Sequence, residues 1–307
     1  MVRPSAERDA SCRERRQPSV EPGSTRRESE APRVVRLSLS EISTVTASFE
    51  EDVAAYAAAG FEGIGIWEFK LPDDDEANRA LLREAGLGVA NCVPNVPSFF
   101  PLGVPGLEGP PDPDTRVAAL CSSVRRLAAY EPECVLCLTG PAVELDENDA
   151  RRAVVDGLRE VVAAAREAGV QLGLEPAHPS QRRTVSFVNS IAGALALLDE
   201  PGLEDVGIMA DTYNLWEEAP GALAKIAARV PGLHVADVPA ESGRTDRLLP
   251  GEGGSRSAEL VHALVATGWN GFLDIEIFSS PDRFWSLPVD EAARRAYAAA
   301  SAFLGSL

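Results

Sequence analysis

From Val34 to the C-terminus, short apolar runs alternate with longer Ala-rich stretches. The short runs are VVRLSL from Val34, GIGIWEF from Gly63, GVANCVP from Gly88 and CVLCLTG from Cys134, then VQLGLEP from Val170, VGIMAD from Val206, LHVADV from Leu233 and FLDIEIF from Phe272. Their length and β-branched content predict eight strands. The stretches between them place apolar residues at i, i+3, i+4 and i+7, one buried stripe per helix. SFEEDVAAYAAAG carries a capping box, Ser48 with Glu51 three residues on, and stops at Gly60. DDDEANRALLREAG ends at Gly86, DPDTRVAALCSSVRRLAAY opens on acids that suit a helix N-terminus, and NDARRAVVDGLREVVAAAREAG runs to Gly169. SFVNSIAGALALLDE, PGALAKIAARV, SAELVHALVATG and DEAARRAYAAASAFL complete the set.

Eight strand–helix units in about 270 residues match the size of an α/β (β/α)8 TIM barrel. The strands show little polar alternation, as expected when helices cover one face and a filled interior the other. A doubly wound open sheet would want a Gly-rich phosphate turn after its first strand, and LSLSEIST supplies none. The expected organisation is one barrel domain over residues 34–307, preceded by a disordered tail over 1–33. That opening stretch lacks apolar periodicity and is rich in Arg, Glu, Ser and Pro. It also lacks the apolar core of a secretory signal.

Composition narrows the function classes. The chain has 307 residues, 45% hydrophobic and 25% charged, with 29 Lys+Arg against 47 Asp+Glu, a formal charge of −18. Such a surface repels phosphate backbones and anionic lipid, which argues against nucleic-acid and membrane partners. Five scattered cysteines without an export signal fit a reduced, cytoplasmic protein. Cys134 and Cys137 form a C-x-x-C string on a predicted strand, where residues three apart point to opposite faces and share neither metal nor disulfide.

In a barrel of this type the active site lies at the C-terminal ends of the strands. Four successive predicted strands end in ionisable residues: Glu175 in LGLEPAHP, Asp211 in IMADTYN, His234 and Asp237 in LHVADV, and Glu276 in LDIEIFS, with Asp274 on the same face. Charged groups inside Val/Leu/Ile runs are costly to bury unless paired or metal-bound. Two Glu, one Asp and one His form a hard, mixed oxygen–imidazole donor set for one divalent ion. Mn²⁺ or Mg²⁺ suits it best, with Co²⁺ or Zn²⁺ as alternatives.

The motifs LEPAHP, ADTYNLW, LHVADV followed by DRLLPGEG, and DIEIFS resemble, in order, the strand-end motifs of the sugar phosphate isomerase/epimerase superfamily. These xylose-isomerase-like TIM barrels include ketose 3-epimerases, inosose isomerases and dehydratases, and endonuclease IV. The resemblance implies that Glu175, Asp211, His234 and Glu276 hold the metal and that Glu175 and Glu276 are also the catalytic acid/base pair. They would act on a keto-sugar or cyclitol through a cis-enediolate, and Arg247 would grip a substrate oxygen. The three histidines of the chain are too few for a histidine-rich zinc cluster, which argues against DNA repair.

One position departs from the epimerase pattern. D-T-x-H after the sixth strand reads Asp211-Thr212-Tyr213-Asn214 here, and an amide can hydrogen-bond a substrate oxygen but cannot carry a proton. His178 would compensate from the loop over the site, whereas His262 is expected to pack within its helix. Glu68, Lys70, Asn91 and Asn95 are further substrate-binding candidates, as are Asp237 and, as cations for an anionic substrate, Arg182 and Arg183. Phe99, Phe100, Trp216 and Trp285 are candidate pocket walls. The expected partner is a small polyhydroxylated molecule; the resemblance also allows a homo-oligomer. The leading expectation is a metal-dependent isomerase or epimerase. The Asn214 departure keeps open a lyase on the same scaffold, either a dehydratase or a subunit cleaving 3-keto C-glycosides. A non-catalytic barrel subunit is the third reading.

Overall fold

Eight parallel strands close on themselves in sequence order, each hydrogen-bonded to the next and the eighth to the first. The computed structural model describes residues 35–240 and 246–307. The tail expected over 1–33 lies outside them. The strands are β1 Arg36–Ser40, β2 Gly63–Trp67, β3 Gly88–Val93, β4 Val135–Cys137, β5 Leu172–Leu174, β6 Val206–Asp211, β7 Gly232–Val235 and β8 Phe272–Ile275. The helices are α1 Phe49–Ala59, α2 Asp75–Ala85, α3 Pro113–Leu127, α4 Glu147–Ala168, α5 Ile191–Leu198, α6 Thr212–Leu215, α7 Gly221–Lys225, α8 Ser257–Val265 and α9 Val289–Gly305. This is the TIM barrel expected from the hydrophobic pattern. None of the helices among the described residues is long and apolar enough to cross a membrane.

Local chemistry accounts for the helix ends. The Ser48–Glu51 capping box forms, and Gly60 takes the left-handed conformation that stops α1. Gly86 and Gly169 end α2 and α4 in the same way. The pattern over SFVNSIAGALALLDE misplaced one start. Ser186 instead pairs with Gly140 across a β-bridge, and α5 begins at Ile191, capped by the Ser190 hydroxyl, which accepts from Gly193 N at 3.0 Å. His262 is exposed, contrary to expectation, because the buried stripe of α8 runs through Ser257, Leu260, Val261 and Leu264 and passes beside it.

Strand alternation divides the core. Leu37, Leu39, Ile64, Ile66, Val135, Leu174, Ile208, Leu233, Val235, Leu273 and Ile275 face the helix layer in one cluster. Trp67, Val93, Cys134, Leu136 and Met209 fill the interior in another. Cys134 and Cys137 fall in different clusters, both buried and free, as their spacing requires. The interior positions next along β5–β8 are Glu175, Asp211, His234, Asp274 and Glu276. The register sets Asp211 opposite His234 and His234 opposite Asp274. Gly65 makes room for this layer: a Cβ there would sit 2.1 Å from an Asp274 carboxylate oxygen.

Candidate functional site

Glu175, Asp211 and His234 bring one donor atom each to within 4.8 Å of one another, all three buried. The Asp211 carboxylate accepts from Tyr213 N at 2.8 Å and ion-pairs with Arg247 Nη2 at 2.9 Å. Glu276 Oε2 lies 3.3 Å from His234 Nδ1 and accepts from Arg247 Nη1 at 2.7 Å. His234 Nε2 faces Asn91 Oδ1 at 3.3 Å and Asp274 Oδ2 at 3.5 Å, while Asn91 Nδ2 donates to Asp274 at 2.7 Å. Asn91, a substrate candidate by sequence, therefore orients the imidazole from below.

The electrostatics of this cluster are lopsided. Four buried carboxylates, Glu175, Asp211, Asp274 and Glu276, face two cationic groups, Arg247 and His234. With all four ionised, even a protonated imidazole leaves two negative charges uncompensated. Burial, reinforced by Asp211, pushes the Glu175 carboxyl well above the usual range. Burial raises Glu276 as well, against the pull of His234 and Arg247. Burial alone would depress His234, but Glu276 and the other carboxylates outweigh it and push it up to about 10. Arg247 is likewise held protonated, with Asp211 and Glu276 overcoming its burial. Its guanidinium lies over the Tyr213 and Phe278 rings, at 4.7 and 4.9 Å from their centroids.

A divalent cation fits this donor set. Two charges are missing, three hard or imidazole donors already converge, and buried His234 Nδ1 lacks a hydrogen-bond partner. Glu276 stands outside the converging trio in this arrangement, next to His234 and bonded to Arg247.

Asn214 is a clamp. Its Nδ2 donates to Glu175 at 2.8 Å and to Asp211 at 3.0 Å, and its Oδ1 accepts from His178 N at 3.3 Å. It lines the cavity, with both ends of the amide engaged by protein. His178 also lines the cavity, its ring stacked on Trp216 at 6.0 Å and 12° and its Nδ1 paired with Ser180 Oγ at 2.8 Å.

Four further substrate candidates are placed elsewhere. Lys70 turns away from the cavity into a buried cluster, ion-paired with Asp52 and donating to the carbonyls of Thr44 and Glu41 at 3.0 and 3.3 Å. Glu68–Lys70 winds into a single 3₁₀ turn after β2 instead of extending the strand, which redirects the side chain. Asp237 accepts from the backbone amides of Val238, Gly253 and Ser255. It bridges to Leu248 through its own backbone, so it holds the loop that presents Arg247. Arg182 bonds the Phe187 carbonyl and pairs with the exposed Glu147. Glu68 accepts from Asn95 N at 2.9 Å, fixing the loop after β3.

The cleft above the carboxylates is a cavity of about 1260 Å³. Trp216 and Trp285 line it as expected, whereas Phe99 and Phe100 are buried away from it. Sequence reasoning missed Trp67, Phe69 and Phe278 in this wall. Their signal was present, since each follows or ends a strand at the same rim as the site residues.

Over 136 residues the chain is 31% identical to D-psicose 3-epimerase of Enterocloster bolteae, covering 43% of this chain and 42% of that one. Over 125 residues it is 27% identical to fructoselysine 3-epimerase of Escherichia coli O157:H7, covering 40% of this chain and 44% of that one. These matches therefore span less than half the length of either relative. In shape it resembles the IolI protein, solved with a zinc atom bound, with a TM-score of 0.70 at 17% identity over 89% of this chain and 99% of that one. The model of one family, the xylose isomerase-like TIM barrel, matches residues 53–306, and the chain belongs to that family.

Proposed function

We propose that the protein is a divalent-metal-dependent isomerase or epimerase of a keto-sugar or cyclitol. The observation that carries this reading is the buried cluster at the ends of β5–β8, with two glutamates flanking Asp211, His234 and Arg247 and two positive charges missing. Glu175, Asp211 and His234 would hold the ion, with Glu276 as the fourth donor beside His234. When bound, such an ion supplies Lewis-acid stabilisation of charge developing on adjacent substrate oxygens. Manganese is the first candidate for this oxygen-rich set; the zinc in the IolI structure keeps zinc a close second.

The residues of the chain do the rest. Glu175 and Glu276 close separate strands and are both raised by burial, which suits carboxylates that exchange a proton with substrate. One removes the proton α to the carbonyl, and the other returns it. Arg247 donates to the substrate oxygen nearest Glu276 and balances the carboxylates while the site is charged. Asn214 keeps Glu175 and Asp211 at a fixed separation, a task for which an amide suffices where related epimerases carry histidine. The apolar wall above excludes water from the reacting carbon. The names of the two curated relatives, both 3-epimerases, support the assignment to keto-sugars.

The test is solvent-deuterium incorporation into a panel of ketoses and inososes in D2O, with Mn²⁺ supplied. Wild-type protein should label at least one substrate at the carbon next to the carbonyl. Glu276→Gln should lower that rate by at least a hundredfold when compared at equal metal occupancy. A protein that binds metal yet labels none of the panel, or a Glu276→Gln variant as fast as wild type, sinks the proposal.

A further inference from the structure

The cavity is larger than a bare monosaccharide needs. Pockets that enclose a drug-sized ligand run from about 300 to 1,000 Å³, and this one reaches about 1260 Å³. Its excess is not evenly distributed chemically. Starting at Arg247, whose guanidinium lies 4.9 Å from the Phe278 centroid, a chain of aromatic rings leads towards solvent. Phe278 contacts Trp67 at 5.8 Å and Trp285 at 6.3 Å, and Trp67 contacts Phe69 at 5.7 Å. Phe69 is 48% exposed, one of three large apolar side chains exposed to that degree among the described residues. An apolar ring exposed at a cavity mouth, continuous with a buried aromatic wall, is a surface that a ligand would cover.

Resting on the sugar-isomerase reading above, we infer that the substrate is a keto-sugar carrying a flat aromatic substituent. The keto-sugar head lies at Glu175, Glu276 and Arg247, and the substituent lies along Phe278, Trp285, Trp67 and Phe69. Aromatic faces and edges at these spacings accommodate a further ring in stacked or edge-on contact.

A second sugar in the same place would bring hydroxyls that need polar partners. Several of the polar side chains that line the cavity are already bonded to protein. Ser280 and Asp246 bond each other, Ser279 accepts from Phe284 N, Ser255 bonds Asp237 and Ser180 bonds His178. The wall thus favours a ring without hydroxyls to satisfy over an oligosaccharide.

The test compares the methyl and naphthyl glycosides of one hexose oxidised to a ketone at a ring carbon other than the anomeric one, so that the carbonyl stays free, with a disaccharide bearing the same keto sugar as a third ligand. Binding to the Mn²⁺-supplemented protein is measured by isothermal titration calorimetry. The naphthyl glycoside should bind at least tenfold more tightly than the methyl glycoside, and more tightly than the disaccharide. In Phe69→Ala, which alters an exposed side chain and leaves the core intact, that preference should fall at least threefold; in Trp285→Ala it should fall further. Equal binding of the methyl and naphthyl glycosides, or tightest binding of the disaccharide, overturns the inference. Deuterium uptake measured on the same samples separates the two readings. Naphthyl preference without uptake in any ligand removes the isomerase reading and leaves the ligand class standing. Uptake without naphthyl preference does the reverse.

Discussion

Asn214 and Lys70 show how residue type and residue role come apart. At Asn214 an amide stands where the epimerase pattern D-T-x-H has histidine, and its Nδ2 bridges the carboxylates of Glu175 and Asp211. Groups that orient ligands in this way typically change metal affinity by about 10–100-fold when removed. Asn214→Ala should therefore weaken Mn²⁺ binding within that range, measured by calorimetric titration; unchanged affinity would show that Glu175 and Asp211 need no clamp. Lys70 is the converse case, a cation read as substrate-binding that is 4% exposed and paired with the fully buried Asp52. Removing one partner of a buried ion pair typically costs about 3–5 kcal/mol, because the other charge is left uncompensated. Lys70→Met should lower the free energy of unfolding in urea by about that much. A loss under about 1 kcal/mol would mean Asp52 is neutral in the fold, the state towards which its burial pushes it.

At the scale of elements, much of the architecture was legible in the sequence. Helix starts and stops follow from side-chain and glycine chemistry within a few residues, which is why α1, α2 and α4 end where their glycines stand. Glu175, Asp211, His234 and Glu276 were legible as ionisable residues closing four successive apolar runs. What was not legible depends on where a chain goes after its strand. The Glu68–Lys70 turn, the Ser186 bridge and the burial of Phe99 are decided by contacts with distant segments. The loop over 94–112 is the clearest instance. Arg116 on α3, 1% exposed, donates to the carbonyls of Ser98, Glu108 and Pro110 and to the Ser98 hydroxyl. No carboxylate pairs with it among these contacts, and burial lowers it to about 10. One buried guanidinium thereby holds the loop that carries Leu102, Val104 and Leu107 into the cavity wall. Arg116→Met leaves those buried acceptors unpaired, at about 1–3 kcal/mol for such a group. Limited proteolysis should then cut within 94–112 at least several-fold faster than in wild type. Equal cleavage rates would place the stability of the loop in its apolar contacts instead.

For the whole molecule, the question is how a chain with a charge of −18 tolerates four carboxylates at the end of its barrel core. Protons or a cation must neutralise them, and the two solutions differ in their dependence on pH and on chelator. If protons suffice, the fold is indifferent to metal and loses stability as pH rises and the raised carboxyls of Glu175 and Glu276 are forced to ionise. If a cation does so, the ion binds the folded state alone and stabilises it by mass action, about 2.7 kcal/mol at a free concentration a hundredfold above Kd. For a domain of this size that corresponds to a rise in Tm of roughly 5–10 °C. Metal competes with protons for the same oxygens and imidazole, so the rise should be largest at neutral pH and shrink as the medium is acidified. We expect EDTA-treated protein to gain such a Tm increment on adding Mn²⁺ at pH 7.5 and to lose most of it at pH 5. Glu175→Gln, which removes one donor and one of the uncompensated charges, should show a higher Tm than wild type without metal and little response to it. That crossing of behaviours distinguishes a site built for a cation from a protonated core. A Tm that is the same with and without Mn²⁺ at every pH would assign the neutralising role to protons and exclude a resident metal.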